Sequence, residues 1–135
     1  MIMRVVRLGS PRSAGEGLRI GTVRRPPRGV PKADFARGNW YDLWYPNLAP
    51  SLPLMKAGQQ AQKSGAPRDW QAFARKYRAE MAAPEAGRTL DLLAALSHHA
   101  DFSVGCYCED ASRCHRSLLR ALLAERGARI AAPGA

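Results

Sequence analysis

Residues 102–126 have the sequence FSVGCYCEDASRCHRSLLRALLAER, which is typical of a buried strand, a polar loop and an amphipathic helix in succession. Apolar or thiol-bearing side chains alternate over residues 102–108, which predicts a strand with one buried face. Leucines then recur at helical spacing between about Ser112 and Arg126, and Gly127 supplies a C-terminal stop. A strand followed by a helix predicts that this segment belongs to an α/β sheet.

The rest of the chain supports the same fold class. Hydrophobic periodicity and turn residues predict two further strands and three further helices, at residues 3–8, 18–24, 51–62, 69–84 and 89–98. Asp69 is the predicted N-cap of the second of these helices, and Pro84 is its predicted stop. We therefore predict an α/β fold: a small single-domain sheet with at least partly parallel strands flanked by helices. The predicted domain spans residues 1–135, with a core of about 17–126 and loose final residues.

The charge of the chain is strongly basic and unevenly distributed. The 135 residues include 21 Lys plus Arg and 11 Asp plus Glu, which gives a formal net charge of +10. Residues 1–37 carry nine basic and two acidic side chains, and residues 112–135 carry five and one. Seventeen of the cations are Arg, whose planar guanidinium suits bidentate binding of phosphate or carboxylate. The excess of Arg and Ala also fits a simple compositional bias.

The three cysteines, at positions 106, 108 and 114, lie within nine residues of one another. An odd and clustered set does not make a disulfide framework, and it favours a reducing compartment. No apolar run approaches the roughly 18 residues of a membrane span. Arg4 and Arg7 occupy the place where a signal peptide has its apolar stretch. The expectation is therefore a cytoplasmic protein.

Three interpretations of the segment from Cys106 to Arg116 remain open on residue chemistry. In the first, Cys108, Glu109 and His115 provide a nucleophile and acid or base groups beside an Arg that binds an anion. In the second, a structural zinc ion is bound by four ligands, which are Cys106, Cys108, Cys114 and His115. In the third, the cysteines are small buried residues, His115 binds a loop carbonyl and Glu109 pairs with an Arg. A phosphatase-like cradle needs five residues between its Cys and its Arg, and this spacing is missed by Cys108 with Arg113, which have four between them, and by Cys106 with Arg113, which have six.

Several motifs in order resemble the domain of unknown function 488 family, especially its YeaO-like branch. Cys108-Glu109 followed by Cys114-His115-Arg116 is similar to the C-x-E…C-H-R signature of that family, which lies at a strand-to-helix junction. The other matching motifs are Gly17-Leu-Arg-Ile, Arg24, Pro27-Arg28-Gly29, Trp40, Leu48-Ala49-Pro50-Ser51, Phe73, Tyr77 and Glu80. Arg25 and Pro26 depart from the pattern, since YeaO-like sequences usually carry an aliphatic and an aromatic residue before Pro-Arg-Gly.

The resemblance implies an α/β domain in which the matched Arg and Cys-His-Arg motifs converge on one cleft, and it supplies no reaction. We expect Arg24, Arg28 and Arg116 to bind a small anionic or phosphate-bearing ligand. Cys108 or His115 would react with it, and Glu109 would orient His115 or an Arg. No cofactor is predicted, with zinc as the alternative given above, and the oligomeric state is open.

Two other functions compete with this hypothesis. A basic nucleic-acid-binding module would use both charged ends of the chain, with aromatic residues of the segment WYDLWYP at 40–46 stacking on bases. Buried core is the more common role for such aromatic residues. The second alternative is a structural or interaction subunit without catalytic chemistry.

Overall fold

A computed structural model of the chain describes residues 1–108 and 114–133. Within these ranges the chain forms four strands and four α-helices. The strands are β1 (Met3–Arg7), β2 (Leu18–Gly21), β3 (Leu43–Trp44) and β4 (Phe102–Cys106). The helices are α1 (Leu52–Ser64), α2 (Pro67–Met81), α3 (Pro84–Leu96) and α4 (His115–Glu125). Short 3-10 turns occur at Lys32–Asp34 and Pro46–Leu48. No helix in the described ranges has the length and apolar character needed to cross a bilayer.

The strands form one parallel sheet in the order β1-β4-β2-β3. The last strand, β4, therefore lies between β1 and β2, and every one of its residues is buried. The predicted α/β class with parallel strands is confirmed. Because the strands run in one direction, the loops that follow β1, β2 and β4 all leave the sheet at the same edge.

The helices pack against one face of the sheet and form the main core with it. Met3, Ile20 and Val104 contribute from the sheet to a cluster that includes Tyr77 and Leu119 from the helices. Gly58 of α1 permits close packing on α2, because a Cβ at this position would lie 2.8 Å from the Phe73 ring. The glycine that weakens α1 as a helix is therefore explained by this contact.

Loops rather than helices cover the opposite face of the sheet. The guanidinium of Arg19 in β2 is completely buried there, and it forms an ion pair with Glu16 at 2.7 Å. Ser103 of β4 donates a hydrogen bond to the same carboxylate at 2.7 Å. This polar cluster ties the loop before β2 to the centre of the sheet.

Several predicted element boundaries are wrong, and each error has a local cause. Helix α2 begins at Pro67 rather than at an Asp69 cap, because Pro at the first helical position loses no hydrogen bond. Pro84 starts α3 instead of only stopping α2, so α3 begins before the predicted Thr89.

The aromatic segment at residues 40–46 is only partly core, since Tyr41 is 3% exposed and Trp44 is 42% exposed.

Candidate functional site

The candidate site lies at the carboxyl edge of the sheet, where β4 ends. Cys106 is the last residue of that strand, and Cys114 is the N-cap of α4. The strand end and the helix start are close in space, since the sulfurs of these two residues lie 2.8 Å apart. In parallel sheets this edge is the usual place for ligands, and the first turn of a helix favours negative charge.

Three thiols meet at this junction. The Sγ atoms of Cys106 and Cys114 are 2.8 Å apart, and both residues are buried. The half-buried Cys108 is the third thiol, and the Gln62 amide donates to its sulfur at 3.6 Å. Cys108 is the most exposed of the three thiols.

These contacts place the negative charge of the group on Cys108. Hydrogen bonds from Cys106, then Cys114, hold the pKa of the Cys108 thiol well below its usual range, against the opposing effect of burial. Donation to Cys108 raises the pKa of Cys106, and donation to Cys106 and Cys108 raises that of Cys114. The directions of these shifts make Cys108 the thiol of the group that ionises most readily.

His115 forms the inner wall of the site and is neutral. Its Nε2 atom lies 2.9 Å from the carbonyl oxygen of Thr22. Because a carbonyl only accepts, Nε2 must carry the proton, and Nδ1 then has its lone pair directed to the side of Cys114, whose sulfur is 3.8 Å away. Burial lowers the pKa of the His115 imidazole and keeps this tautomer uncharged. The contact of His115 with the Thr22 carbonyl is of the kind that the third interpretation of this segment predicts, in which His115 binds a loop carbonyl.

Arg24 connects the site to the start of α1. Its Nε and one terminal nitrogen donate to the carbonyls of Pro50 and Ala49, at 3.0 and 3.1 Å. Tyr77 and Glu80 of α2 secure the same segment from the other side. Tyr77 donates to the Leu48 carbonyl, and Glu80 accepts from Ser51, which caps α1. The motifs that carried the family resemblance in this half of the chain thus form one scaffold beside the thiols.

A cavity of about 270 Å³ opens onto this group, and we call it the thiol cavity. Cys106, Cys108, Cys114 and His115 form one side of it, and Arg24 lies at its rim. Helix α1 provides the opposite side through residues at helical spacing, which are Met55, Gly58, Gln59 and Gln62. Phe73 closes the apolar end of the cavity.

The other predicted site residues lie around this cavity in different ways. Arg116 is 6% exposed, and it donates to the Cys108 carbonyl at 3.0 Å, so it holds the backbone that carries the thiol. Its second terminal nitrogen is buried and has no hydrogen-bond partner among the residues that the structure describes. Arg28 is exposed and lines a neighbouring cavity. Glu109 lies outside the described residues.

Some residues of the site were not predicted from the sequence. Gln62 contacts the Cys108 sulfur, and the main chain of Thr22 fixes the imidazole tautomer. The signal for Gln62 is its spacing from Met55 and Gln59 along one face of α1, which the structure turns into a cavity wall. A backbone carbonyl such as that of Thr22 leaves no mark in the sequence.

The site contains a group that can hold a metal ion. The ligand atoms of Cys106, Cys114 and His115 all lie within 4.8 Å of one another, and the three residues are buried. Thiolates and a neutral imidazole are ligands that zinc prefers. The zinc ligand set expected from the sequence therefore has three of its four members grouped, and Cys108 is not part of that group.

Fold and site together define a small parallel α/β protein with a thiol and imidazole centre at the carboxyl edge of its sheet. The chain belongs to the DUF488 family: the family model described as "Active DUF488-N3 subclade" matches residues 3–127. This match confirms the family resemblance that the motifs indicated. No curated protein and no solved structure matches the chain.

Proposed function

We propose that the chain binds a small phosphate-bearing ligand in the thiol cavity and that Cys108 is the nucleophile that reacts with it. The observation that carries this proposal is the position of one half-buried sulfur, which accepts a hydrogen bond from an amide, on the wall of a cavity with Arg24 at its rim. A thiolate held in this way is the reactive form of cysteine. The surrounding Arg side chains provide charge that attracts anions.

A buried guanidinium lies near the thiols. One terminal nitrogen of Arg116 has no acceptor among the described residues, and a buried donor without an acceptor is costly in free energy. An anionic oxygen would satisfy it, although Arg116 is not among the residues that line the thiol cavity. In the proposed reaction the Cys108 thiolate attacks phosphorus, forming an S–P bond and breaking the P–O bond to the leaving group, which departs with the electron pair and takes a proton from water. The description of the family as an active subclade is consistent with a site that performs chemistry.

Protection of Cys108 from alkylation tests this proposal. Iodoacetamide labelling of Cys108 is followed by peptide mass spectrometry with and without pyrophosphate, at ionic strength held constant with sodium chloride. A ligand that fills the cavity should slow labelling by about tenfold at ten times its Kd. R24Q should weaken this protection, because Arg24 lies at the rim of the cavity, whereas R88Q, an exposed position on α3, should leave it unchanged. Equal labelling rates with and without pyrophosphate would overturn the proposal.

A bound zinc ion is the second candidate, favoured by the grouping of Cys106, Cys114 and His115. The hydrogen bond from His115 Nε2 to Thr22 is the outer contact that metal-binding histidines usually make, and it leaves Nδ1 for the metal. The fit requires movement, however. Bonds of about 2.3 Å to a tetrahedral zinc place two sulfurs about 3.8 Å apart. The two thiols, at 2.8 Å, would have to separate by about 1 Å.

Metal analysis decides this second candidate. The protein is loaded with zinc, dialysed and examined by native mass spectrometry and elemental analysis. If the group is a zinc site, we expect one ion per chain, lost in C114S and in H115Q. Retention of zinc in C108S would identify a three-residue ligand set, and its loss a four-residue set. Protein that stays free of zinc, with its thiols all available to a thiol reagent after unfolding, removes zinc from consideration.

A further inference from the structure

A second, larger cavity lies beside the thiol cavity, and we call it the arginine cavity. Its volume is about 780 Å³, within the range of small-molecule sites. Four guanidinium-bearing residues line it, namely Arg7, Arg24, Arg25 and Arg28. Of the lining residues that the structure describes, none is acidic. The part of the wall that the structure describes therefore carries guanidinium groups and no carboxylate.

The two cavities adjoin one another. Arg24, Met55, Gln59 and Tyr107 line both of them. Tyr107 stands between Cys106 and Cys108 in the chain, and its hydroxyl donates to the Arg25 carbonyl at 2.9 Å. The main chain beside the reactive sulfur is thus connected to the arginine-bearing loop after β2. One ligand can extend from the arginines to the thiols.

Aromatic side chains form the remaining part of the arginine cavity. Trp40 and Tyr107 both line it, and their rings meet edge to face with centroids 6.0 Å apart. The indole of Trp40 is held closely by the main chain, because a Cβ at Gly9 or at Gly38 would lie 2.9 or 3.0 Å from it. A ring fixed in this way presents an aromatic surface without losing side-chain entropy on binding.

From this combination we infer that the ligand is a nucleotide, with its phosphates bound by the arginines and its base in contact with Trp40 and Tyr107. Guanidinium groups bind phosphate oxygens bidentately, and bases stack on or pack against aromatic rings. A simple inorganic phosphate would leave the aromatic wall unused, and a sugar phosphate lacks the flat ring that such a wall recognises. The inference rests on the proposed function, because it names the class of ligand for the same site.

Calorimetric titration of the whole chain with three probes tests the inference. The probes are adenosine 5′-triphosphate, tripolyphosphate and adenosine, at one salt concentration. We expect the triphosphate nucleotide to bind at least about fivefold more tightly than tripolyphosphate, since contact of one base with aromatic residues contributes about that factor or more. W40L should remove this advantage and leave tripolyphosphate binding unchanged. R25Q should weaken both phosphate probes, with R129Q as the matched exposed control.

The possible outcomes separate the two proposals. Equal affinity for the nucleotide and for tripolyphosphate, or no binding of either, would overturn the nucleotide inference. Tighter binding of a short single-stranded oligonucleotide than of the nucleotide, with a steep dependence on salt, would also overturn it in favour of a nucleic-acid module. Nucleotide binding that does not slow alkylation of Cys108 would support the inference and contradict the nucleophile role of Cys108.

Discussion

The substitution R19M is expected to lower the free energy of unfolding by about 3 to 5 kcal/mol, the usual effect of removing one partner from a buried ion pair. Arg19 is the largest completely buried side chain of the protein among the described residues, and Glu16 is 3% exposed. Methionine fills much of the same space, so the expected loss arises from the unpaired carboxylate rather than from a cavity. Urea denaturation monitored by tryptophan fluorescence measures it.

The contacts of Arg19 explain why this effect should be large. Its Nε and one terminal nitrogen bind the two oxygens of Glu16 at 2.7 and 3.0 Å. The other terminal nitrogen donates to the carbonyls of Ser10 and Asn39, at 2.8 and 2.7 Å. R19M therefore leaves buried acceptors unsatisfied in two loops as well as an unpaired charge.

Matched variants separate these contributions. R78M makes the same chemical change in an exposed pair, Arg78 with Glu125, and should leave the urea midpoint unchanged within error. The double variant E16Q/R19M should be more stable than R19M alone, because it contains no unpaired buried carboxylate. If R19M and R78M shift the midpoint equally, the buried pair does not stabilise the fold.

Acid provides a second readout of the same pair. Burial alone would raise the pKa of the Glu16 carboxyl, but hydrogen bonds from Arg19, Ser103 and Ser13 lower it from 4.5 to about 2. The stabilisation is therefore fully present above pH 4.5 and is lost as the pH falls towards 2. A shift of this size corresponds to about 3 kcal/mol. E16Q should lack this part of the acid dependence.

The strand-to-helix junction could be predicted from the sequence because its signals are local. Alternation of apolar residues over 102–106 and leucine spacing over 115–125 each follow from the geometry of one element. Boundaries at prolines were harder to predict, because Pro84 fits both the end of one helix and the first turn of the next. The sequence is compatible with both assignments of Pro84, and only the packing of α3 shows that this proline begins a helix.

The buried charges could not be predicted in the same way. Arg19 lies in a short strand next to apolar residues, where alternation places it on the face opposite Ile20. That face is buried only because loops fold over it, and a loop path depends on contacts distant in sequence, such as that from Ser103 to Glu16. The family motif Gly17-Leu-Arg-Ile was the one sign that this Arg has a fixed position.

The location of the site could be predicted from the sequence, but the roles of its individual side chains were harder to predict. Motifs more than 80 positions apart, Arg24 and Cys114-His115, do line one cavity. Arg24 and Arg116, expected to bind an anion, also donate to carbonyls that shape the site. The role of a guanidinium depends on which acceptors are near it, and those acceptors belong to the main chain. Sequence patterns identify the donor and say nothing of such partners.

The rate of Cys108 alkylation is expected to be nearly independent of pH between about pH 5 and about pH 8. For a free cysteine, with a pKa of about 8.5, the alkylation rate rises about 1000-fold from about pH 5 to about pH 8, because its thiolate fraction rises about tenfold per pH unit. Hydrogen bonds from Cys106 and Cys114 hold the pKa of Cys108 far below this interval, so its thiolate is fully formed throughout. The dependence of the rate on pH tests the low pKa of Cys108. The absolute rate does not, because a less basic thiolate is a weaker nucleophile.

The measurement uses protein treated with a chelator, so that no bound metal protects the thiols, and quantifies the labelled peptide by mass spectrometry. Cys106 and Cys114 are 1% and 2% exposed and should label slowly, which lets the Cys108 signal be resolved. C106A and C114A each remove a donor and should restore a rate that rises with pH, whereas Q62L should have a smaller effect because its contact is longer and weaker. A Cys108 rate that rises tenfold per pH unit in the unmodified protein, in parallel with free cysteine, would show that the three thiols do not stabilise a thiolate.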